Sequence, residues 1–194
     1  MKAVFLKGSP PAGRDLLCNR ASAAVMARMK ALDWEVKAFA LAGMDIKACR
    51  GCFSCWAKTP GRCVIADDDQ EAILRATAAS DLVIWLTPIT FGGYSPELKK
   101  ALDRIIPILL PFFIKVRGET HHPLRYPRRR RLLAIGTQKQ EDAGSESVFS
   151  QLVGRNALNM GNAEATTMVF SGDVSLAEME KRLGDEPFFR EVAQ

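Results

Sequence analysis

Residues 79–104 read ASDLVIWLTPITFGGYSPELKKALDR. Leu82-Val83-Ile84-Trp85-Leu86 is apolar at every position, with no alternation, the pattern of a strand buried on both faces at the centre of a parallel sheet. The run ends in a loop rich in glycine, and a helix is predicted from Ser95-Pro96, with serine as N-cap and proline at the first helical position. Leu98, Ala101, Leu102 and Ile105 recur at three- and four-residue steps and give that helix one apolar stripe.

The same alternation of strand and helix extends in both directions. Ala3 to Lys7 reads as a first strand, followed by a helix carrying Leu17, Ala21, Ala24, Val25, Met29 and Leu32 on one face. Trp34, Val36 and Ala38 alternate with Glu35 and Lys37, as in a half-exposed edge strand. Asp67-Asp68-Asp69 fits a helix N-terminus, where free backbone N–H groups favour negative charge, and Ile73, Leu74 and Thr77 would face inward. A fourth strand is predicted over Leu132 to Ile135, a helix over about 145–160 with Gly161 as terminator, and a fifth strand over Ala165 to Phe170. One or two short helices complete the tail. The fold class is therefore α/β: a parallel five-stranded sheet wrapped by helices. The placement of the polar loops favours the flavodoxin-like order 2-1-3-4-5, a three-layer sandwich. A single domain over 1–194 accommodates a cysteine-rich loop at 45–66 and an insertion at about 106–130.

Apolar residues make up 47% and charged residues 25% of the chain, as in a soluble globular protein. The first residues read as a strand rather than as a signal peptide, and the longest apolar run, Ile105 to Ile114, is half the length of a membrane span and holds two prolines. These features predict a cytoplasmic protein. The net charge of +5 is concentrated in Pro127 to Arg131, but no aromatic residues are interleaved there, so nucleic acid is disfavoured as a partner and a solvated loop end is the plainer reading.

Four of the five cysteines, Cys49, Cys52, Cys55 and Cys63, fall within ACRGCFSCWAKTPGRC. Without a secretory signal, this compact spacing suits a metal or redox loop better than a disulfide framework. The candidates are a [4Fe–4S] cluster, free or redox-active thiols, and zinc. Cys18 is expected as a packed thiol on the first helix, and His121-His122 as two surface histidines, unliganded or adding ligands to the centre.

Three loops at the carboxyl ends of the strands are candidates for a ligand. Gly8-Ser9-Pro10-Pro11-Ala12-Gly13-Arg14-Asp15 runs into a helix start, where backbone N–H groups, the Ser9 hydroxyl and the Arg14 guanidinium can surround a phosphate; Asp15 alternatively serves as a plain N-cap. It is neither a dinucleotide fingerprint nor a Walker loop. Thr87 to Ser95 offers exposed backbone groups, two aromatic rings and two glycines that admit a planar ligand, a combination suited to a flavin. Gly136-Thr137-Gln138 is a third, short polar loop.

Together KGSPPAGRD, CRGCFSCWAKTPGRCVIADD, ASDLVIWLTPITFGG and SPELKKALDR resemble the NAD(P)H-dependent FMN reductase group of flavodoxin-like proteins and, within it, the iron-sulfur flavoproteins, over about residues 1–140. The resemblance implies FMN held without a covalent link. Ser9, Arg14 and Asp15 then mark the phosphate loop, Pro88, Ile89, Thr90, Phe91 and Gly92 lie beside the ring, and Gly136 and Thr137 complete the pocket. It implies an oxidoreductase that takes a hydride from NAD(P)H and passes electrons to a quinone, another small molecule or a protein, with no obligatory catalytic side chain. It also implies a homodimer or higher assembly, for which the Ile105 to Ile114 run is the candidate contact, with burial inside its own subunit as the alternative. Lys99, Asp103 and Arg104 match the family's helix motif and are expected to form ion pairs. Two rival functions are a non-enzymatic carrier with the same cofactors and a zinc-stapled module that binds nucleic acid.

Overall fold

The structure, a computed structural model, describes residues 1–9, 15–128, 130–161, 164–187 and 189. The sheet strands are β1 (Lys2–Lys7), β2 (Glu35–Ala40), β3 (Leu82–Pro88), β6 (Arg131–Gln138) and β7 (Glu164–Ser171), with a short hairpin of β4 (Ile114–Val116) and β5 (Glu119–His121) between β3 and β6. The helices are α1 (Leu16–Ala31), α2 (Ser54–Ala57), α3 (Gln70–Ala79), α4 (Pro96–Asp103), α5 (Ala143–Asn159) and α6 (Leu176–Asp185).

All neighbours in the five-stranded sheet are parallel, in the order β2-β1-β3-β6-β7. This is the predicted 2-1-3-4-5 order, with the hairpin's two strands standing outside the count. β3 is central and buried from Leu82 to Thr87, which is why its sequence shows no alternation. Successive residues face opposite helix layers. Phe5, Ile84, Leu133 and Phe170 pack with α1 and α6, while Leu6, Trp85, Ala134 and Val169 pack with α3, α4 and α5.

Several boundaries differ from the sequence reading. Gly136-Thr137-Gln138, expected as a loop, completes β6, because Gly136 and Thr137 pair in register with Thr87 and Pro88 on one side and with Val169 and Phe170 on the other. α5 begins earlier than predicted, at Ala143, because Asp142 caps it by accepting from the Ser145 backbone N–H at 3.1 Å. The alternation on β2 serves two layers: Trp34 joins the α1 layer, whereas Phe39 joins the opposite core and Ala38 is exposed.

The Ile105 to Ile114 run divides. Ile105, Pro107, Ile108 and Leu109 are buried in the chain's own core, while Phe112 and Phe113 remain 65% and 72% exposed. The Arg128 and Arg130 side chains donate to the last carbonyls of α3, Arg128 to Ala79 and Arg130 to Thr77 and Ala78, so both complement the negative end of that helix. Among the described residues no helix is long and apolar enough to cross a membrane.

Candidate functional site

Because the sheet is parallel, the segments leaving β1, β3 and β6 emerge along one edge. Gly8 donates its N–H to Leu86 O at 2.7 Å and lies against the start of α4; a Cβ there would come within 2.6 Å of Ser95 Oγ and 2.7 Å of Leu98 Cβ. Glycine is thus required where the first loop begins. Ser9 follows, 3% exposed, and its hydroxyl has no hydrogen-bond partner among the described residues. Pro10 to Arg14, including the predicted phosphate ligand Arg14, lie outside the described residues. Asp15 caps α1, its Oδ1 accepting from the Cys18 N–H at 2.9 Å.

Cys18 is buried beside Ser9 and Thr137, and Thr137 Oγ1 lies 3.5 Å from its Sγ. Burial pushes the Cys18 thiol up to about 11, against the opposing effect of the Thr137 and Ser9 hydroxyls, so it stays protonated and unreactive. Gly136 faces the other layer. A Cβ on it would meet Ile89 Cδ1 at 2.6 Å, so its missing side chain seats Ile89 against Phe149.

After β3 the chain makes a tight reversal. Thr90 N–H donates to Gly93 O at 3.0 Å and Gly93 N–H to Thr90 O at 2.8 Å, with Phe91 and Gly92 both at positive φ, 49° and 75°. The turn holds the Phe91 ring 98% exposed. Of the two aromatic rings expected near a flavin, Tyr94 is instead buried, edge-on to Trp85 and Phe149, with its hydroxyl accepting from Asn156 Nδ2 at 2.9 Å. Burial pushes the Tyr94 hydroxyl up to about 12, which leaves it neutral.

The cysteine segment follows β2 and closes on α3 and α4. Cys49, Cys52, Cys55 and Cys63 all line one pocket of about 50 Å³, together with Arg104, Ile65 and Pro107. No three His, Cys, Asp or Glu side chains among the described residues converge tightly enough to hold a single metal ion. The sulfurs are nevertheless neighbours electrostatically. Burial raises the Cys55 pKa, and Cys63, Cys52 and Cys49 raise it further. Exposed Cys52 is lowered, chiefly by the Ser54 hydroxyl.

Two features of this region had no sequence signal. The first is an aromatic row, Phe53, Trp56, His122 and Phe113, with successive ring centroids 5.3, 4.6 and 5.1 Å apart, which joins the cysteine segment to the insertion. Trp56 Nε1 also donates to Leu109 O at 3.1 Å. The second is the partner of Arg104. Lys99 and Asp103 pair with each other at 2.5 Å, but Arg104 turns away to form a buried ion pair with Asp68. The three aspartates before α3 accordingly face back along the chain rather than forming a simple cap: Asp67 pairs with Lys47, Asp69 accepts from the Asp45 N–H, and Asp68 accepts from the Lys47 and Gln70 N–H groups. His121 and His122 are not in the pocket lining. His121 is held between Asn159 and Glu119, and His122 by Phe112 O.

A family model described as NADPH-dependent FMN reductase matches residues 1–164. The chain belongs to that family. It is 34% identical over 116 residues to an iron-sulfur flavoprotein of Methanocaldococcus jannaschii, covering 59% of this chain and 57% of the relative. An iron-sulfur flavoprotein of Methanosarcina thermophila is 28% identical over 106 residues, 55% of this chain and 53% of its own length. The chain spans about half the length of the curated relatives it matches. Among solved structures, an NAD(P)H:quinone oxidoreductase from Methanothermobacter marburgensis aligns with a TM-score of 0.67 at 13% identity, over 100% of this chain and 90% of that one. An FMN-dependent NADH-azoreductase from Bacillus anthracis, solved with FMN, aligns at 0.65 and 15% identity, over 100% and 96%. These likenesses establish the flavodoxin-like fold of this FMN reductase family member.

Proposed function

We propose that the protein is an FMN-dependent oxidoreductase that uses NAD(P)H as donor and a quinone, another small molecule or a protein as acceptor, with its four clustered cysteines as ligands of a [4Fe–4S] cluster. The observation that carries this reading is the presence, on one FMN reductase chain, of a pocket lined by all four clustered cysteines.

The edge fits a phosphorylated flavin. Among the described residues the buried Ser9 hydroxyl makes no hydrogen bond of normal geometry and has the Cys18 thiol, a weak partner, beside it, so it has bonding capacity to offer a ligand atom. Ser9 and the N–H groups at the start of α1 would hold the phosphate, with Arg14 adding charge. The turn at Thr90 to Gly93 fixes the Phe91 ring for apolar contact, and the backbone of Pro88 to Gly92 supplies polar groups for the ring edge. Bound FMN supplies hydride acceptance and electron release. The chain's share of the chemistry is to orient the ring and exclude water, and no side chain is required as acid or base.

The cysteines are read as cluster ligands because iron-sulfur flavoproteins are among the relatives the chain resembles. Around one zinc ion four sulfurs stand about 3.8 Å apart, from Zn–S bonds of ~2.3 Å in a tetrahedron. Each thiolate of a cubane cluster binds a different iron and the sulfurs spread more widely. Four cysteines line one pocket here, the number of thiolates such a cluster takes. The exposed Phe112-Phe113-Ile114 segment is the proposed contact between subunits of a homodimer or tetramer.

Anaerobic purification followed by an absorption spectrum, with iron and acid-labile sulfide assayed on the same sample, tests the proposal. Flavin bands with about four irons per chain are expected, and the double variant Cys52→Ser, Cys55→Ser should keep FMN and lose iron. Flavin without iron removes the cluster from the proposal. A colourless protein that takes up no added FMN overturns it.

A further inference from the structure

The segment that carries the four cysteines is closed at both ends by one buried side chain. Arg104 Nη1 donates to Lys47 O at 3.1 Å and Nη2 to Ile65 O at 2.9 Å, so a single guanidinium holds together the chain before Cys49 and the chain after Cys63. Asp68 completes the clasp: it pairs with Arg104 Nη1 and accepts from the Lys47 N–H at 3.0 Å. Both side chains are withdrawn from solvent, Arg104 1% and Asp68 0% exposed.

Arg104 has one nitrogen left over. Its Nε is buried and has no partner among the described residues, while the side chain lines the cysteine pocket. Cys63 stands beside the guanidinium on the same pocket wall, with no hydrogen bond formed between its sulfur and Nε. A buried cation with a spare donor at the wall of a thiolate pocket is where a hydrogen bond to sulfur would form once the sulfur carries charge.

We propose that Arg104, fixed by Asp68, is a positioning residue for the four-cysteine centre: it closes the segment from Lys47 to Ile65 before any metal binds, and its Nε–H donates to the Cys63 sulfur when the centre is filled. The proposal rests on the reading of the cysteines as cluster ligands. Its two parts have separate readouts. Preorganisation belongs to the metal-free protein, and donation to sulfur belongs to the reduction potential, which hydrogen bonds to cluster sulfurs set.

The test uses the full chain with FMN and three variants. Arg104→Lys keeps the charge but replaces the planar fork that spans two carbonyls and a carboxylate with a single point donor. Arg104→Met leaves Asp68 buried alone and is the variant most at risk of misfolding. The double variant Arg104→Met, Asp68→Leu removes both charges together, which protects the fold. Amide hydrogen exchange across residues 47–65 is measured in metal-free protein, and then ferrous iron and sulfide are added anaerobically and the midpoint potential recorded.

In the Arg104→Lys and double variants, exchange across 47–65 should accelerate at least tenfold while the β3 and β6 amides keep wild-type protection. Retained iron should fall, and the potential of what remains should move lower. Unchanged exchange over 47–65 in a folded double variant overturns the preorganising role. An unchanged potential in iron-loaded Arg104→Lys and double variants overturns the donor role. If the wild type binds no iron, the cluster reading and the donor role both fail, whereas the exchange result still decides whether Arg104 closes the segment.

Discussion

Phe91 illustrates how a single residue can be read only after its backbone is known. Its φ of 49° costs a residue with a Cβ about 1 kcal/mol relative to glycine. Its ring, 98% exposed, recovers none of that cost within the subunit. Replacement by glycine relieves the backbone and adds unfolded-chain entropy, so Phe91→Gly is expected to stay within about 1 kcal/mol of wild-type stability in urea. FMN binding should weaken about tenfold, ~1.4 kcal/mol, as read by fluorescence titration of the flavin. Equal affinity in the two proteins would remove Phe91 from the flavin site. Gly136, which the family resemblance places at the cofactor pocket, also has a packing role: its absent side chain makes room for Ile89.

Among the elements, the hairpin of β4 and β5 depends on one carboxylate. Glu119 accepts from Arg155 on α5 at 3.0 and 2.6 Å and lies 3.1 Å from His121 Nε2. Arg155, and after it His121, hold the Glu119 carboxyl down at about 2, against 4.5 in a free side chain. A carboxyl depressed in the folded state takes up its proton later than the unfolded chain does. Its contribution is therefore complete above pH 4.5 and is lost as the pH falls toward 2. Hydrogen exchange of the hairpin amides should lose protection over that window in the wild type, and Glu119→Gln should show the reduced protection already at pH 6. A hairpin indifferent to both changes would be held by its other ties, the His121–Asn159 contact and the aromatic row. Sequence gave no warning of this anchor, because its members lie 36 residues apart and belong to no local pattern. The helix caps at Ser95 and Gly161, by contrast, follow from local backbone geometry and were legible.

Across the whole molecule, the sheet was readable because burial on two faces leaves an unbroken apolar string, and β3 has it in full. The strand order followed from where polar loops fall. The insertion was not readable: Ile105 to Leu109 and Phe112 to Ile114 are equally apolar, yet the first group enters the core and the second stays outside. Hydrophobicity measures the drive to be buried and does not say in which molecule burial occurs. If the outer group meets a second subunit, light scattering should give a multiple of the 21.4 kDa chain mass, and Phe112→Ser with Phe113→Ser should return it to the monomer with the fold intact. A wild-type monomer at high concentration would locate the use of those rings elsewhere. The cysteine pocket was legible as a spacing, while its closure by Asp68 and Arg104 required the path of the chain between them.

Of the three tryptophans, Trp34 and Trp85 are buried against the two faces of the sheet, and Trp56 alone stands half-buried in the aromatic row. Its indole is bonded to Leu109 O on the insertion while its backbone belongs to the cysteine segment. With Trp34 and Trp85 replaced by phenylalanine, the remaining emission would be an intrinsic optical gauge of whether those two segments are together or apart, readable in real time during turnover without attaching a dye.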